Sequence, residues 1–377
     1  MSFEIEITAR CNYSCRHCYI NKPLGDKNAK KNELTLPEIE RLADEASSLG
    51  ALWCLITGGE PLVRDDFEDI YLALKRKGLF VSIFTNASLI NQRHMNLFKH
   101  YPPREIEVTA YGVTQATFGR ITRRSSAFSS FLRGLDLLSS NHIPVRLKAM
   151  AMRSNIHELP QIAAFCRQRT KDYFRFDPHL HLRYDGSQNR NDDIRSERLS
   201  PQEIIKAEES DDERMNSLIK HCQEFIMDPS SVPSCDHLFR CGAGMTSFVI
   251  GHDGFFRLCS SLNEPSCIYD LRSGSLSQAW QEFIPRIRDR RTTNQQLIDK
   301  CARCSIINLC LWCPAHAHLE SGMLDAWIED FCQVAHARAK ILRSKTERPR
   351  STSVSPKKNS QSNQYSGPKR KGAPPIS

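Results

Sequence analysis

Along roughly the first 190 residues the apolar positions switch repeatedly between a period of two and the helical period. Phe3, Ile5 and Ile7 alternate with polar neighbours and predict a strand over 3–8. Ile39, Leu42, Ala43, Ala46 and Leu49 then recur at helical spacing, with Pro37 near the start and Gly50 as the stop signal. Thr35 followed by Glu38 forms a capping box for that helix. Apolar runs predict further strands over 51–57, 79–85, 105–110, 145–152 and 173–177. Phe67, Ile70, Tyr71 and Leu74 mark the helix after the second strand, and others are expected near 90–100, 127–140 and 156–168. Strands alternating with helices argue an α/β fold with a parallel sheet. Six such units are too few to close an eight-stranded barrel, so an open, partial (β/α)6 barrel of TIM-like type is expected. Its chemistry would sit at the carboxyl ends of the strands.

The pattern changes after residue 190. Residues 191–232 read as a helical connector, with Ser200, Pro201 and Glu203 opening one helix. Met215, Leu218, Ile219, Cys222, Phe225 and Ile226 fall on one helical face. From 233 to 342 short structured pieces in a cysteine-rich setting predict a small α+β domain. Residues 343–377 carry nine Lys or Arg against one acid and almost no large apolar residues, and are expected to be a disordered basic tail. That tail accounts for +8 of the net charge of +9, so the globular body is nearly neutral and does not argue for nucleic-acid binding. No basic and apolar targeting segment precedes the first strand, and no run of about 18 apolar residues occurs. A cytoplasmic protein without a membrane partner is expected.

Fifteen cysteines change the picture. In a reducing compartment, cysteines at short fixed spacings mean metal or cluster ligation rather than disulfides. Cys11, Cys15 and Cys18 fall in the loop after the first strand. Three thiolates are one short of a closed zinc site, but suit a [4Fe–4S] cluster whose fourth iron stays open. An open iron can chelate the amine and carboxylate of a small molecule.

This spacing, with Gly58-Gly59-Glu60-Pro61 after the second strand, resembles the radical S-adenosylmethionine (SAM) superfamily. The resemblance implies that Gly58, Gly59, Glu60 and Pro61 lie against the methionyl amine of SAM, the glycines allowing close backbone approach. It implies further SAM contacts at Asn86, beside Thr85, and at Thr109, and places His17 near the adenine. The chemistry implied is reductive cleavage of SAM to a 5′-deoxyadenosyl radical, which abstracts hydrogen from an unactivated carbon.

The second cysteine set comprises Cys235, Cys241, Cys259, Cys301, Cys304, Cys310, Cys313 and Cys332. With Gly254 and Cys259 separated by four residues, it resembles the SPASM domain, an auxiliary-cluster module of radical SAM peptide and protein maturases. By that resemblance Cys235, Cys241, Cys259 and Cys313 hold one auxiliary [4Fe–4S] cluster, and Cys301, Cys304, Cys310 and Cys332 a second. Cys310 and Cys313 are separated by two residues where the commonest form has three. Of the remaining cysteines, Cys54, Cys166 and Cys222 are expected as buried small hydrophobes; the role of Cys267 is open.

The function implied is a radical SAM oxidoreductase acting on a peptide or protein, its auxiliary clusters accepting the product electron. The partners implied are an external one-electron donor of flavodoxin or ferredoxin type and the peptide itself. Leader recognition falls to a separate protein or to the core. Two alternatives stand beside it: a small-molecule cofactor precursor as substrate, or, from another class, a zinc-stabilised nucleic-acid-binding module. Ser260 occupies the position where anaerobic sulfatase maturases carry an acidic base, which weakens a formylglycine reading. Asp177, Asp185 and Lys148 are candidates to face the substrate, with surface or turn roles as the alternative, and no catalytic base is assigned.

Overall fold

A computed structural model describes residues 1–170 and 174–346. The six expected strands form, all parallel, as β1 (Ser2–Thr8), β2 (Trp53–Gly58), β3 (Phe80–Thr85), β4 (Glu105–Ala110), β5 (Val145–Met150) and β6 (Arg175–Asp177). Helices α1 (Leu36–Ser48), α2 (Phe67–Arg76), α3 (Gln92–His100), α4 (Ala127–Ser140) and α5 (Leu159–Arg169) make the crossovers. The box at α1 is made as expected, Thr35 Oγ1 accepting from Glu38 N while Thr35 N donates to the Glu38 carboxylate. β5 stops two residues short of its expected end, because the amide of Met152 turns to the side chain of Asn155. The expected strand over 173–177 begins at Arg175; Tyr173 lies outside the described residues.

The sheet does not end with these six strands. Three more, β7 (Ser247–Ile250), β8 (Phe255–Arg257) and β9 (Tyr269–Asp270), extend it beyond β1, giving the order β9–β8–β7–β1–β2–β3–β4–β5–β6. β7 runs parallel to β1, Phe3 opposite Phe248 with rings stacked at 5.5 Å, and Phe256 follows at 5.3 Å. One continuous apolar core therefore spans the barrel and the start of the cysteine-rich region.

β1 shows how two faces are used. Phe3, Ile5 and Ile7 are buried in that core, whereas the alternate positions belong to a polar interior. There Glu107 pairs with Lys148, and with Arg175 at 2.9 Å. Burial, with Glu6 next, pushes the carboxyl of Glu4 up to about 7. Such an interior is not filled by apolar side chains, and it leaves a cavity.

The apolar face expected over 215–226 is present but broken, since His221 ends the helix Asp212–Lys220 before a short turn, Cys222–Phe225. It packs with Ile306, Leu309 and the helix Glu329–Thr346 in a second apolar cluster. That last helix runs four residues into the segment expected as tail; residues 347–377 lie outside the described residues. Between the helices Glu208 is buried and takes Arg338 at 2.7 Å and Arg214 at 2.8 Å. Burial alone would raise its pKa, but Arg338 and then Arg214 hold it below the usual carboxylate range. Its contribution to stability is therefore present at neutral pH and lost as the pH falls through that range. Glu208→Ala leaves Arg338 buried and unpaired, and should lower the unfolding free energy by about 3–5 kcal/mol in chemical denaturation. No helix among the described residues is long and apolar enough to cross a membrane.

Candidate functional site: a cysteine loop at the mouth of the barrel

The loop that follows β1 is held by backbone contacts with the turn that follows β2. Gly59 N donates to Thr8 O at 2.7 Å and Glu60 N to Arg10 O at 2.9 Å. A Cβ on Gly58 would stand 2.1 Å from Thr8 O, and one on Gly59 would stand 2.3 Å from Arg10 O. Gly58 also has φ +130°. The close approach required of the two glycines is thus to the end of β1 for Gly58 and to the start of the cysteine loop for Gly59, beside the cavity they also line.

Glu60 is wholly buried and does not line that cavity. Its carboxylate accepts from Thr85 Oγ1 and from Asn86 N, both at 2.7 Å, and from Leu62 N at 3.1 Å. Burial, opposed by these bonds, pushes its pKa up to about 7. Glu60 thereby ties the turn after β2 to the end of β3. Pro61, also buried, opens the 3-10 turn that follows.

On this frame Cys15 is buried and Cys11 and Cys18 are half-buried. Burial raises the Cys15 thiol well above its usual range, and the nearness of Cys18 and Cys11 raises it further. Burial, then Glu60, does the same to Cys11. Converging sulfurs, of which Cys11 and Cys15 resist ionisation on their own, suit a cationic centre, which would offset their mutual repulsion. Among the described residues no three His, Cys, Asp or Glu side chains close on a point as a single-ion site. A cube of four irons spreads its thiolates wider than one ion does.

Two arginines missed by the sequence reading clamp the loop. Arg190 donates to Cys15 O at 2.7 Å, and Arg183 to Cys18 O at 3.0 Å. Asp185 is spoken for by Arg183 and Lys22, each at 2.7 Å, which holds its carboxyl well below the usual range against the effect of burial. Nothing local in the sequence marks these arginines, which lie some 165 residues beyond the cysteines they hold.

The barrel mouth encloses a cavity of about 280 Å3. Cys11, Cys15 and Cys18 stand at its wall with Gly58, Gly59 and Asn86. Thr109, His17, Lys148 and Asp177 line it too. Asn86 Nδ2 reaches Asn12 Oδ1 at 2.9 Å. His17 packs 5.0 Å from Tyr111, a cavity residue the sequence reading missed. Its Nδ1 is buried without a partner, and burial lowers its pKa to about 4. A neutral imidazole with an unsatisfied nitrogen on the wall fits a ligand bearing polar ring atoms. The donor set thus fits a cluster at the loop and a polar cofactor in the cavity.

His179 and His181 after β6 also line the cavity, and His316 from the helix Pro314–Ser321 packs against them, rings 4.6–6.2 Å apart. Burial lowers the pKa of His181 to about 3 and that of His179 to about 2. The one signal for them in the sequence is their alternation, His-Leu-His.

Beyond the barrel the second cysteine set falls into groups. Burial raises Cys301 to about 12, and its next contributors are Cys310, Cys304 and Cys332, which places the four together. Cys313 is raised to about 12 by burial and then, against a hydrogen bond from His316, by Cys259 and Cys241. Cys235 lines an adjoining cleft with Arg288, whose guanidinium donates to Cys241 O at 2.9 Å. Cys54, Cys166 and Cys267 are buried, and Cys222 packs in the second apolar cluster.

Residues 5–166 match the family model described as the radical SAM superfamily, so the chain carries a radical SAM domain, for which a [4Fe–4S] cluster and SAM are the family's cofactors. The particular likenesses are of two kinds. The chain is 25% identical over 338 residues to the Fe-coproporphyrin III synthase of Methanosarcina barkeri (strain Fusaro / DSM 804), covering 81% of this chain and 80% of that protein. It is 26% identical over 168 residues to the PqqA peptide cyclase of Gluconobacter oxydans (strain 621H), covering 45% and 46%. In fold it resembles Streptococcus suis SuiB bound to the precursor peptide SuiA, with a TM-score of 0.65, 16% identity, and 88% and 75% of the two chains covered. Against anSMEcpe with bound AdoMet the TM-score is 0.62 at 13% identity, covering 91% and 93%.

Proposed function

We propose that this protein cleaves SAM reductively and abstracts hydrogen from a peptide or protein, with two auxiliary [4Fe–4S] clusters taking the product electron. The observation that carries the reading is the arrangement of the second cysteine set. One quartet, Cys301, Cys304, Cys310 and Cys332, is gathered in a single place, and a trio, Cys241, Cys259 and Cys313, in another. Cys235 borders the trio and is proposed as its fourth ligand, closing both sites.

When bound, the first cluster and SAM supply the 5′-deoxyadenosyl radical. The chain's own residues do the rest. Gly58 and Gly59 fix the end of β1 and the cysteine loop, while Asn86 and Thr109 line the space for the cofactor. Tyr111 and His17 wall the cavity and limit the entry of water. Peptide substrates are supported by SuiB, whose structure holds a precursor peptide, and by the PqqA peptide cyclase.

A second reading has a specific observation behind it. The Fe-coproporphyrin III synthase and the AdoMet-dependent heme synthase of Methanosarcina barkeri align over 81% and 84% of this chain, and suggest an iron tetrapyrrole as substrate. The test is anaerobic reconstitution with SAM and reductant, adding either candidate peptides or iron-coproporphyrin III. The peptide reading requires a mass change in a peptide and none in the tetrapyrrole. Cys301→Ala with Cys304→Ala should spare uncoupled 5′-deoxyadenosine formation and stop product. Full product from that variant would overturn the auxiliary role.

A further inference from the structure

A second and larger recess adjoins the cavity across the cysteine loop. It is an open cleft of about 750 Å3 that shares Cys11, Tyr13 and Asn21 with the cavity. Five cationic side chains line it, Lys22, Arg123, Arg124, Arg183 and Arg190, against the single carboxylate of Asp185.

Those charges are not balanced locally. Asp185 is shared between Lys22 and Arg183. Arg123 takes Asp193 at 2.6 Å, from outside the cleft lining. Arg124 donates to Asn12 O at 3.1 Å, and Arg190 to Ser14 Oγ, Cys15 O and Asn21 Oδ1. Among the described residues neither has a carboxylate partner at ion-pair distance. Outside its basic tail the chain is nearly neutral, so this excess is a local feature.

We propose that this cleft binds the carboxylates of an acidic peptide segment flanking the residue that enters the cavity. The proposal rests on the peptide reading given above and adds a substrate class to it. Guanidinium groups bind carboxylates through paired, charge-assisted hydrogen bonds, and Arg124 and Arg190 meet no competing acid. A concave, open cleft admits an extended chain, and it lies against the cavity at Cys11, Tyr13 and Asn21. Carboxylates of an iron tetrapyrrole carry the same chemistry, and the experiment separates the two.

The experiment uses the full-length, anaerobically reconstituted protein with SAM and without reductant. Fluorescence anisotropy is read for three labelled peptides of equal length, rich in Asp and Glu, in Asn and Gln, or in Lys. The acidic peptide should bind at least about tenfold tighter than the neutral one, with affinity falling as salt is raised. Arg124→Glu should weaken it by about tenfold, with iron content read on the same sample. Arg124→Gln serves if the reversal does not fold, and should give a smaller loss of the same sign. Equal binding of acidic and neutral peptides, or affinity indifferent to both variants, overturns the proposal. So does reversal-sensitive binding of iron-coproporphyrin III with no binding of the acidic peptide. Failure of the radical reading is told apart by adding reductant: it would show as absent 5′-deoxyadenosine, whatever the anisotropy.

Discussion

Replacing Cys11, Cys15 and Cys18 together by Ala is expected to abolish reductive cleavage of SAM, with 5′-deoxyadenosine falling to background. Iron should fall by about four per chain, the content of one cluster. The argument is geometric and electrostatic. Cys15 is buried beside Cys18 and Cys11, so its charge is unfavourable unless a cation sits among them. The rest of the loop is held independently, by Gly59, by Arg190 and by the buried Arg10–Glu33 pair at 2.7 Å. Loss of the thiols should therefore remove the metal and leave the barrel folded. Iron analysis and near-ultraviolet circular dichroism on the same sample check both halves. Zinc at this trio in oxygen-protected protein would contradict the whole scheme.

Gly59→Ala is expected to be strongly disruptive for so small a change. Its Cβ would stand 2.3 Å from Arg10 O, 2.5 Å from Ala9 O and 2.8 Å from Ala9 C, all backbone atoms without a flexible end to yield. The turn after β2 and the cysteine loop must separate, breaking the bonds from Gly59 N to Thr8 O and from Glu60 N to Arg10 O. A loss of about 3 kcal/mol or more in unfolding free energy follows. Retained iron together with wild-type stability would show that the two loops do not depend on each other.

The GGEP motif separates what could be read from what could not. Its position after the second strand was legible, and Gly58 and Gly59 line the cavity. Its division of labour was not. Gly58 and Gly59 serve the end of β1 and the cysteine loop as well as the cavity, and Glu60 serves the end of β3. A carboxylate in a motif looks the same in sequence whether it faces a ligand or is satisfied by a neighbouring loop. Asp185 teaches the same lesson, since it proves to be a bracket for Arg183 and Lys22.

The helical face over 215–226 was recognised by its period, yet its break at His221 was not, because helical spacing persists across a single turn. The strands β7 to β9 escaped because four, three and two residues are too few for alternation to register. What places them is Phe248 against Phe3, a contact between residues 245 positions apart.

By itself the sequence determined the six parallel strands with their crossovers, and the spacing of the thiols. Both are relations among residues near one another in the chain, where backbone geometry sets the period. Only the tertiary structure decided that the cysteine-rich region continues the core sheet, that arginines from the far side of the barrel clamp the loop, and that a cationic cleft opens beside it. Each of these depends on side chains meeting across long separations, where packing and charge act and no local pattern is written.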